Sequence, residues 1–422
     1  MPAARTCGVL FASGFALISS LALLAADKPK PSAASKPAAS QPASRAATGP
    51  VDEKAVAELI RLLGDDSFRV REDATRKLMG MGEAAYPLLE ARLDAKDLDL
   101  EVASRINTVL NGASYAFDAN EAARRQAEAA RALGVPKELS LDLDGNVGLK
   151  LVLIPPGAFS MGSPLEERER SDGEVRHRVT LRKAFHMGMY HVTKGQFAAF
   201  VAAGGYKTDA EKDGWASSWD GKDFCRVDGA SWKDPGFRQT ADHPVVCISH
   251  NDAVAFCEWL SKKASKTVTL PTEAQWEYAC RAGTTTAYQW GNDPDDGKGW
   301  CNAADQTAQK ALHPNWAYFN WDDGYTFTSP AGKFKANAFG LYDMHGNAFQ
   351  WCRDWYDPAY YAASPRTDPQ GPATGTTRVL RGAGWYGRPV NCRSASRDNG
   401  EPDSRTNRVG FRVVVLIDPQ KK

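Results

Sequence analysis

The sequence predicts an α+β protein in which a small all-α module precedes a larger, loop-rich domain. Residues 52–112 repeat apolar side chains with a helical period, whereas short apolar runs and strand-like alternation begin at Gly148. Residues 338–412 are rich in Gly, Asn and Trp, which is typical of backbone that turns and approaches other segments closely. The length of 422 residues agrees with two or three domains.

The first 26 residues have the pattern of a secretory signal. Arg5 supplies a positive charge, an apolar run covers 8–24, and two alanines follow as small residues for cleavage. The alternative is an uncleaved membrane anchor, but the run is short for a span of about 20 residues and contains serines. We therefore expect residues 1–26 to be removed and the protein to be exported, to the periplasm or the extracellular space.

Residues 27–50 consist mainly of Pro, Ala and Ser and contain no large apolar side chain. Such a segment cannot bury enough surface to offset its ordering entropy, so a disordered linker is predicted. The net charge of the whole chain is +1, which argues against a nucleic-acid partner and against a polybasic membrane surface.

Residues 51–133 predict a helical module. Four apolar stripes follow the i, i+3, i+4 rule, starting near Val56, Val70, Leu88 and Val102, and an Ala/Arg/Glu-rich helix ends the segment. The first part resembles one HEAT-type repeat with a partial neighbour, and solenoids usually need about three repeats. Two interpretations stay open, namely a helical spacer or a surface that docks a peptide.

Two helices are readable in the larger domain. Ser249 can cap the first helix, and Thr272 with Gln275 forms a capping box for the second. Short alternating runs, such as the one that contains Met187 and Met189, predict half-buried strands around these helices.

Six motifs occur in a fixed order between residues 147 and 417. In chain order they read LVLIPPGAFSMGS, FHMGMYHVTKGQFAAF, HPVVCISHNDAVAFCEWL, LPTEAQWEYACRAG, QWGN and, from Ala338, AFGLYDMHGNAFQWCRDW. In these motifs the chain resembles the formylglycine-generating enzyme (sulfatase-modifying factor) family. The resemblance implies a C-type-lectin-like fold with little regular secondary structure.

The resemblance also implies one disulfide. The family pairs the cysteines that correspond to Cys280 and Cys392, and exported proteins can form such bridges. The second cysteine of another family bridge is replaced here by Val413, so Cys257 is expected to be a buried, inert thiol.

Two calcium sites follow from the same resemblance, because oxygen-rich loops suit this hard cation. The first would use side chains of Asn302 and Asp323 and the carbonyl groups of Ala303 and Tyr325. The second would use Asp343, Gly346, Ala348 and Gln350, where Gln350 replaces a glutamate of the family and weakens the site. The other interpretation is that these residues only close turns.

Family members that act as oxidases bind copper through two cysteines five positions apart, in the loop that starts at Gly384 here. The loop 384–391 contains no cysteine, and the resemblance assigns Cys392 to the structural bridge. No copper is therefore expected. Other branches of the family bind iron through histidines of an added helical bundle, but residues 27–140 lack His and Cys, and His177, His186 and His191 are expected to be packed or solvated.

The remaining candidate is a ligand pocket. Arginine suits carboxylates and phosphates, and aromatic rings beside it suit a peptide or a small acidic ligand. The pocket would be lined by Trp385, Tyr386, Arg388, Arg393, Arg397 and Asp398, with Phe349 nearby. The alternative is that Arg393, Arg397 and Arg412 tie loops together through buried carboxylates such as Asp354 and Asp403.

Two functional hypotheses follow. The first is an exported member of the family without oxidase activity, which binds an unknown protein, peptide or small acidic ligand. The second is a family enzyme, an oxidoreductase or a protein-modifying enzyme, with a non-standard active site. No catalytic residue is assigned, the only cofactor predicted is structural Ca²⁺, and no membrane span is expected after cleavage of the signal.

Overall fold

The computed structural model describes residues 52–93, 95, 97–111, 116–312 and 317–417. The predicted signal and linker, residues 1–26 and 27–50, lie outside the described residues. The described residues up to 111 form one compact unit, and those from 116 onward form a second. Within these ranges no helix is both long enough and apolar enough to cross a membrane.

The described part of the first unit forms four α-helices. They are α1 (Glu53–Leu62), α2 (Phe68–Met81), α3 (Tyr86–Leu93) and α4 (Leu100–Asn111), with a 3₁₀ turn at Gly82–Ala85 before α3. Asp52 caps α1 by accepting hydrogen bonds from the backbone N–H groups of Lys54 and Ala55. Val56, Leu78 and Ile106 are buried, so the apolar stripes form the interior of this unit. The helices are confirmed, and the HEAT-like arrangement stays a prediction.

A fifth helix, α5 (Ala119–Leu133), belongs to the second unit. The Nε2 of Gln126 donates to the carbonyl oxygens of Leu153 and Phe339, at 2.9 Å each, and the Gln126 side chain is buried. The sequence had grouped α5 with the preceding helices because its Ala/Arg/Glu pattern does not reveal which surface its buried face contacts.

The second unit contains thirteen strands and six further helices in its described part. The strands are β1 (Glu138–Asp142), β2 (Gly148–Ile154), β3 (Gly157–Met161), β4 (His177–Leu181), β5 (Phe185–Gly188), β6 (Trp215–Trp219), β7 (Phe224–Asp228), β8 (Val268–Thr269), β9 (Phe349–Trp355), β10 (Arg378–Arg381), β11 (Asp398–Gly400), β12 (Val409–Gly410) and β13 (Val414–Leu416). The helices are α6 (Lys194–Gly204), α7 (Asp209–Asp213), α8 (His250–Ala264), α9 (Glu273–Arg281), α10 (Gln306–Ala311) and α11 (Tyr360–Ala363).

The strands form four small sheets. One has five strands in the order β1-β2-β5-β13-β8, and another has four strands in the order β11-β10-β9-β12. The hairpins β3-β4 and β6-β7 make the other two. All pairs are antiparallel except β9 with β12. The unit is a mixed α/β structure with short strands, as expected, and the C-type-lectin-like description stays a prediction.

The two predicted helices of this unit are confirmed together with their caps. The Ser249 hydroxyl accepts the backbone N–H of Asp252 at the start of α8. At the start of α9, Thr272 and Gln275 form the reciprocal capping box that the sequence indicated. Helix α9 is buried except at the half-buried Gln275, which places its charged residues inside the molecule.

Candidate functional site

The predicted pocket is centred on Trp385, which is fully buried. Its indole Nε1 donates to the carbonyl oxygen of Asn407 at 3.0 Å, and its backbone N–H donates to the carbonyl oxygen of Asn347 at 3.0 Å. These two bonds fix the ring between the segment that precedes β9 and the segment that precedes β12. Because the indole is the one polar group of this side chain, its orientation is set by the bond to Asn407.

Four further rings surround Trp385. Its centroid lies 4.9 Å from that of Phe327, 5.8 Å from those of Phe237 and Phe224, and 5.6 Å from that of Tyr386. The rings of Phe237 and Phe327 are stacked at 4.5 Å. The four outer residues are half-buried. We call these five residues the aromatic platform.

Arg408 covers one side of the aromatic platform. Its guanidinium carbon lies 4.2 Å from the ring centroid of Tyr386 and 5.0 Å from that of Phe224, and its Nη1 contacts the Tyr386 hydroxyl. These are cation–π distances. The sequence did not indicate Arg408, Phe224, Phe237 or Phe327, because they come from segments with no pattern that joins them to Trp385.

Arg393 does not line this pocket. It is 3% exposed, and its guanidinium binds both carboxylate oxygens of Glu174 at 2.8 Å and Glu167 at 2.7 Å. Its Nη2 also donates to the carbonyl oxygen of Glu169 at 3.1 Å. All of these partners lie in the loop between β3 and β4, so Arg393 ties that loop to the segment after β10.

Arg397 and Arg412 are also held inside the protein. Arg397 binds both carboxylate oxygens of Glu273, at 2.7 and 2.9 Å. Arg412 donates to the carbonyl oxygens of Gly188 and Tyr342 at 2.8 Å each. The loop-tying interpretation is therefore the one that the contacts agree with. The prediction that Asp354 and Asp403 are the partners was wrong, because neither carboxylate binds these arginines among the described residues.

The other predicted lining residues are separated as well. Arg388 is exposed and precedes a 3₁₀ turn at Pro389–Cys392. Asp398 is an exposed residue of β11, and its carboxylate accepts the backbone N–H of Asn399. Phe349 lies in β9 within the core. Of the predicted set, the structure brings together only Trp385 and Tyr386.

Gly387 and Cys392 lie next to each other across the loop. A Cβ atom built on Gly387 would be 3.1 Å from the Cys392 Sγ, 2.7 Å from the Ala383 Cβ and 2.9 Å from the carbonyl oxygen of Gly384. The two positions are five apart, which is the spacing that the resemblance implies for a pair of copper-binding cysteines. The resemblance had assigned Cys392 to the structural bridge, whereas this geometry places it opposite position 387.

The predicted bridge between Cys280 and Cys392 is not formed in the structure, where both are buried free thiols. The Cys280 Sγ lies 3.6 Å from Nε2 of His345, whereas the Cys392 Sγ lies 3.6 Å from the carbonyl oxygen of Gly387. His345 also uses Nδ1 in a 2.6 Å hydrogen bond with the Cys392 carbonyl oxygen. The two sulfur atoms thus contact different groups.

The residues of the first predicted calcium site lie together. Asp323 accepts backbone N–H groups from Ala303 at 3.0 Å and from Tyr325 at 2.7 Å. The Oδ1 of Asn302 is buried and has no hydrogen-bond partner among the described residues. Burial, and then the charge of Asp305, raise the pKa of Asp323 to about 8. The sequence missed Asp305, the second carboxylate of this pair.

This donor set fits a hard cation. It offers two carboxylates, which also accept backbone N–H groups, and an orphaned amide oxygen, and these are oxygen ligands that Ca²⁺ accepts. No group of three or more His, Cys, Asp or Glu side chains that could hold a metal occurs within the described ranges. A cation here would thus depend on carbonyl and amide oxygens as well as on Asp305 and Asp323.

The second predicted calcium site does not fit as it is arranged. The Oε1 of Gln350 already accepts hydrogen bonds from the Trp276 indole at 2.7 Å and from Nε of Arg412 at 2.6 Å. Its Nε2 donates to the carbonyl oxygen of Asp343 at 3.2 Å. The guanidinium of Arg412 therefore occupies the oxygen that a calcium ion would need, and the positive charge repels the ion.

The histidines that the sequence considered bind backbone carbonyl oxygens. The hydrogen bonds, each 2.8 Å long, join the rings of His177, His186 and His191 to the carbonyl oxygens of Val175, Pro136 and Ala348, respectively. Burial lowers the pKa of His191 to about 3, so this ring is neutral at ordinary pH.

This chain is similar to several known proteins. Residues 145–417 match the profile of the sulfatase-modifying factor enzyme 1-like domain. The chain is 38% identical over 290 residues to the formylglycine-generating enzyme of Streptomyces coelicolor, covering 62% of this chain and 88% of that protein. It is 30% identical over 305 residues to the inactive C-alpha-formylglycine-generating enzyme 2 of Bos taurus, covering 65% and 90%. The solved structure of PvdO from Pseudomonas aeruginosa matches with a TM-score of 0.54 and 28% identity, over 66% of this chain and 98% of that one.

Proposed function

Because this chain belongs to the sulfatase-modifying factor enzyme 1-like family, we propose that it keeps the family domain without the copper-dependent oxidase activity. In this proposal the protein is an exported module that binds a ligand or another protein. The observation that carries the proposal is the glycine at position 387. A single thiol, that of Cys392, faces the place where the family spacing would put a second one.

The chemical argument concerns the ligands of copper. Soft thiolate ligands select Cu(I), and the family site needs two of them. Here burial raises the pKa of Cys392 well above its usual value, so this thiol stays protonated. A lone, protonated and buried thiol is a poor metal ligand. We therefore expect no copper to bind at this loop.

The aromatic platform supports a binding role. Its outer rings remain half-buried, and Arg408 lies over two of them. Aromatic and arginine side chains contribute much of the binding energy at protein interfaces. The platform is held by the buried Trp385 and its two backbone hydrogen bonds, so little side-chain entropy is lost when a ligand packs on it.

Calcium would have a structural role in this proposal. Asp305, Asp323 and Asn302 would hold the ion together with nearby carbonyl groups, and the ion would supply positive charge that neutralises the buried carboxylate pair. The segments that carry these residues are joined mainly by loops, so a bound ion would replace the cross-links that a larger regular core provides.

A second candidate function is that of a family enzyme with a non-standard active site. The 38% identity to a formylglycine-generating enzyme favours it, as does the retention of Cys392 beside position 387. The inactive relative is less similar, at 30% identity, but it matches a comparable share of this chain. Identity alone therefore does not separate the two candidates, and an assay is required.

The assay incubates the purified full chain with a sulfatase-type cysteine peptide, oxygen and Cu(I), and follows the peptide by mass spectrometry. We expect no change in the mass of the peptide and no copper retained by the protein. A formylglycine enzyme of the family, run in parallel, is the positive control. Conversion that depends on both this protein and oxygen would overturn the proposal in favour of the enzyme.

A further inference from the structure

A second surface adjoins the aromatic platform. A groove of about 450 Å³ is lined by Lys194, Lys233, Asp234, Gly236, Phe237, Arg238 and Gln239. We call it the basic groove. It shares Phe237 with the platform. Gly236 packs against the end of β6, where a Cβ would lie 2.5 Å from the Ser218 Oγ.

The hairpin β6-β7 joins the two surfaces. The Trp219 ring at the end of β6 lies 5.1 Å from that of Phe224 in β7. Phe224 in turn contacts Trp385 and Tyr386 of the platform. These contacts connect the basic groove to the platform through the tip of the hairpin, so the three parts form one continuous surface.

The basic groove carries more cationic side chains than carboxylates, and one of the cations, Lys233, is already paired with Glu211 at 2.7 Å. Within the described residues, the exposed side chain of Arg238, which lines the groove, forms no ion pair or side-chain hydrogen bond. Lys194 is bound only to a carbonyl oxygen, that of Lys233, at 2.7 Å. Burial lowers the pKa of Lys194, so an anion placed beside it would favour its charged form. Asp234 is the one carboxylate that lines the groove.

We propose that the basic groove and the aromatic platform together bind an extended acidic segment of another protein. Its carboxylates would bind Arg238 and Lys194, and an aromatic side chain beside them would pack on Phe237. This inference rests on the proposed binding function and names the class of its ligand. A small acid would engage one cation only, whereas an extended segment can engage the groove and the platform together. Complementary charge also accelerates association and selects against basic partners.

The test uses the full chain and fluorescence anisotropy. The probe is a fluorescein-labelled short peptide of Asp and Glu residues with one central Trp. Matched probes carry Ala in place of Trp, or Lys in place of every acid. We expect the acidic Trp peptide to bind, the Ala peptide to bind more weakly and the Lys peptide not to bind. Affinity should fall as the salt concentration rises, because exposed charges are screened.

Variants locate the binding site. Arg238→Glu should weaken binding by about tenfold or more, because it replaces an attractive charge with a repulsive one. Arg366→Glu is the matched control, since this exposed arginine lies outside the groove and the change in net charge is the same. Thermal melting of both variants checks that they remain folded. An equal effect of the two variants would overturn the inference in favour of non-specific attraction.

Two further outcomes distinguish this inference from the proposed function. Equal affinity for the Trp and Ala peptides would show that the aromatic side chain contributes nothing. Displacement of the acidic peptide by heparin at the same concentration of negative charge would show that any polyanion binds. Either result would overturn the inference. The proposed binding function would still hold if a neutral aromatic peptide bound to the wild-type chain and did not bind to the Tyr386→Ser variant. Failure of every peptide, together with conversion of the cysteine peptide, would remove both.

Discussion

A Cβ atom at Gly387 would lie 3.1 Å from the Sγ of Cys392, in a loop where the two positions are five apart. This separation is close to that between the Cβ atom of one cysteine and the sulfur of its partner in a disulfide. The backbone is therefore already shaped for two thiols, although the chain carries only one. Introducing a cysteine at position 387 therefore tests whether the loop can hold two neighbouring thiols.

Gly387→Cys should create a disulfide with Cys392. The new Cβ would crowd that of Ala383 at 2.7 Å, so a small local shift is expected. Non-reducing peptide mapping after mild oxidation would detect the bridge. The double variant Gly387→Cys/Cys392→Ser is the control and should show none. In the wild-type chain the same map reports whether Cys392 is free, as in the structure, or bonded to Cys280, as the family resemblance predicts.

A bridge between Cys280 and Cys392 in the wild-type chain would leave a cysteine at position 387 without a partner. That result would contradict the prediction for Gly387→Cys and support the structural role that the resemblance gave to Cys392. If Cys280 and Cys392 are both free thiols in the wild type, and a bridge forms only in Gly387→Cys, Cys392 faces position 387 rather than Cys280.

Arg393→Met should destabilise the second unit strongly. The carboxylate of Glu174 is buried at 1% exposure and would lose both hydrogen bonds from the guanidinium. Removing one partner of a buried pair costs about 3–5 kcal/mol, because the other charge stays buried. Denaturant unfolding measures the loss. Arg393→Lys should recover only part of it, since an ammonium group cannot bind both oxygens in the same plane.

The exposed Arg388 provides the control, and Arg388→Met should leave the free energy of unfolding nearly unchanged. A second measurement is limited proteolysis of the loop between β3 and β4, which Arg393 holds through Glu167 and Glu174. Faster cleavage in Arg393→Met alone is expected. Equal stability of the two variants would show that the buried pair contributes little.

Asp354 should make stability depend on pH. Burial, followed by the charge of Glu273, raises the pKa of Asp354 to about 7. An aspartate in the unfolded chain has a pKa of about 3.9, so the folded protein binds this proton more tightly. The contribution of Asp354 to stability is therefore complete below about pH 4 and is lost as the pH rises towards 7 and above.

Asp354→Asn should remove this dependence, because the amide oxygen can still accept the backbone N–H of Glu273, now 3.0 Å from the carboxylate. Relative to the wild type, the variant should gain stability as the pH is raised from 5 to 8, measured by thermal melting. The exposed Asp403→Asn serves as control and should give a constant difference. A constant difference for Asp354→Asn as well would contradict the prediction.

Calcium removal should lower the melting temperature of the second unit. An ion that binds only the folded form stabilises it by about 2.7 kcal/mol at a hundredfold excess over Kd. Asp323→Ala should reproduce most of the effect of a chelator, because Asp323 is a carboxylate of the predicted site. Asp296→Ala, at an exposed acidic position, should not. An unchanged melting curve with chelator, and no calcium by elemental analysis, would mean that these residues only close turns.

Much of the secondary structure was readable from the sequence. The apolar stripes of α1 to α4 and the capping box of Thr272 and Gln275 depend on neighbours three or four residues away, so local patterns are sufficient to predict them. The order of six motifs identified the family, which the match over residues 145–417 confirmed. The change in pattern near Gly148 indicated the start of β2, but it missed β1 at Glu138–Asp142, which pairs with β2.

The partners of long side chains depended on the tertiary structure. Arg393 binds Glu174, which is 219 positions away, whereas the sequence left open whether Arg393 lines a pocket or ties loops and did not indicate Glu174 as its partner. Likewise, the platform joins Phe224, Phe237 and Phe327 to Trp385 through loops that have no periodic pattern. Which charges meet is decided by the approach of distant loops. That approach results from packing of the whole domain, and no local spacing encodes it.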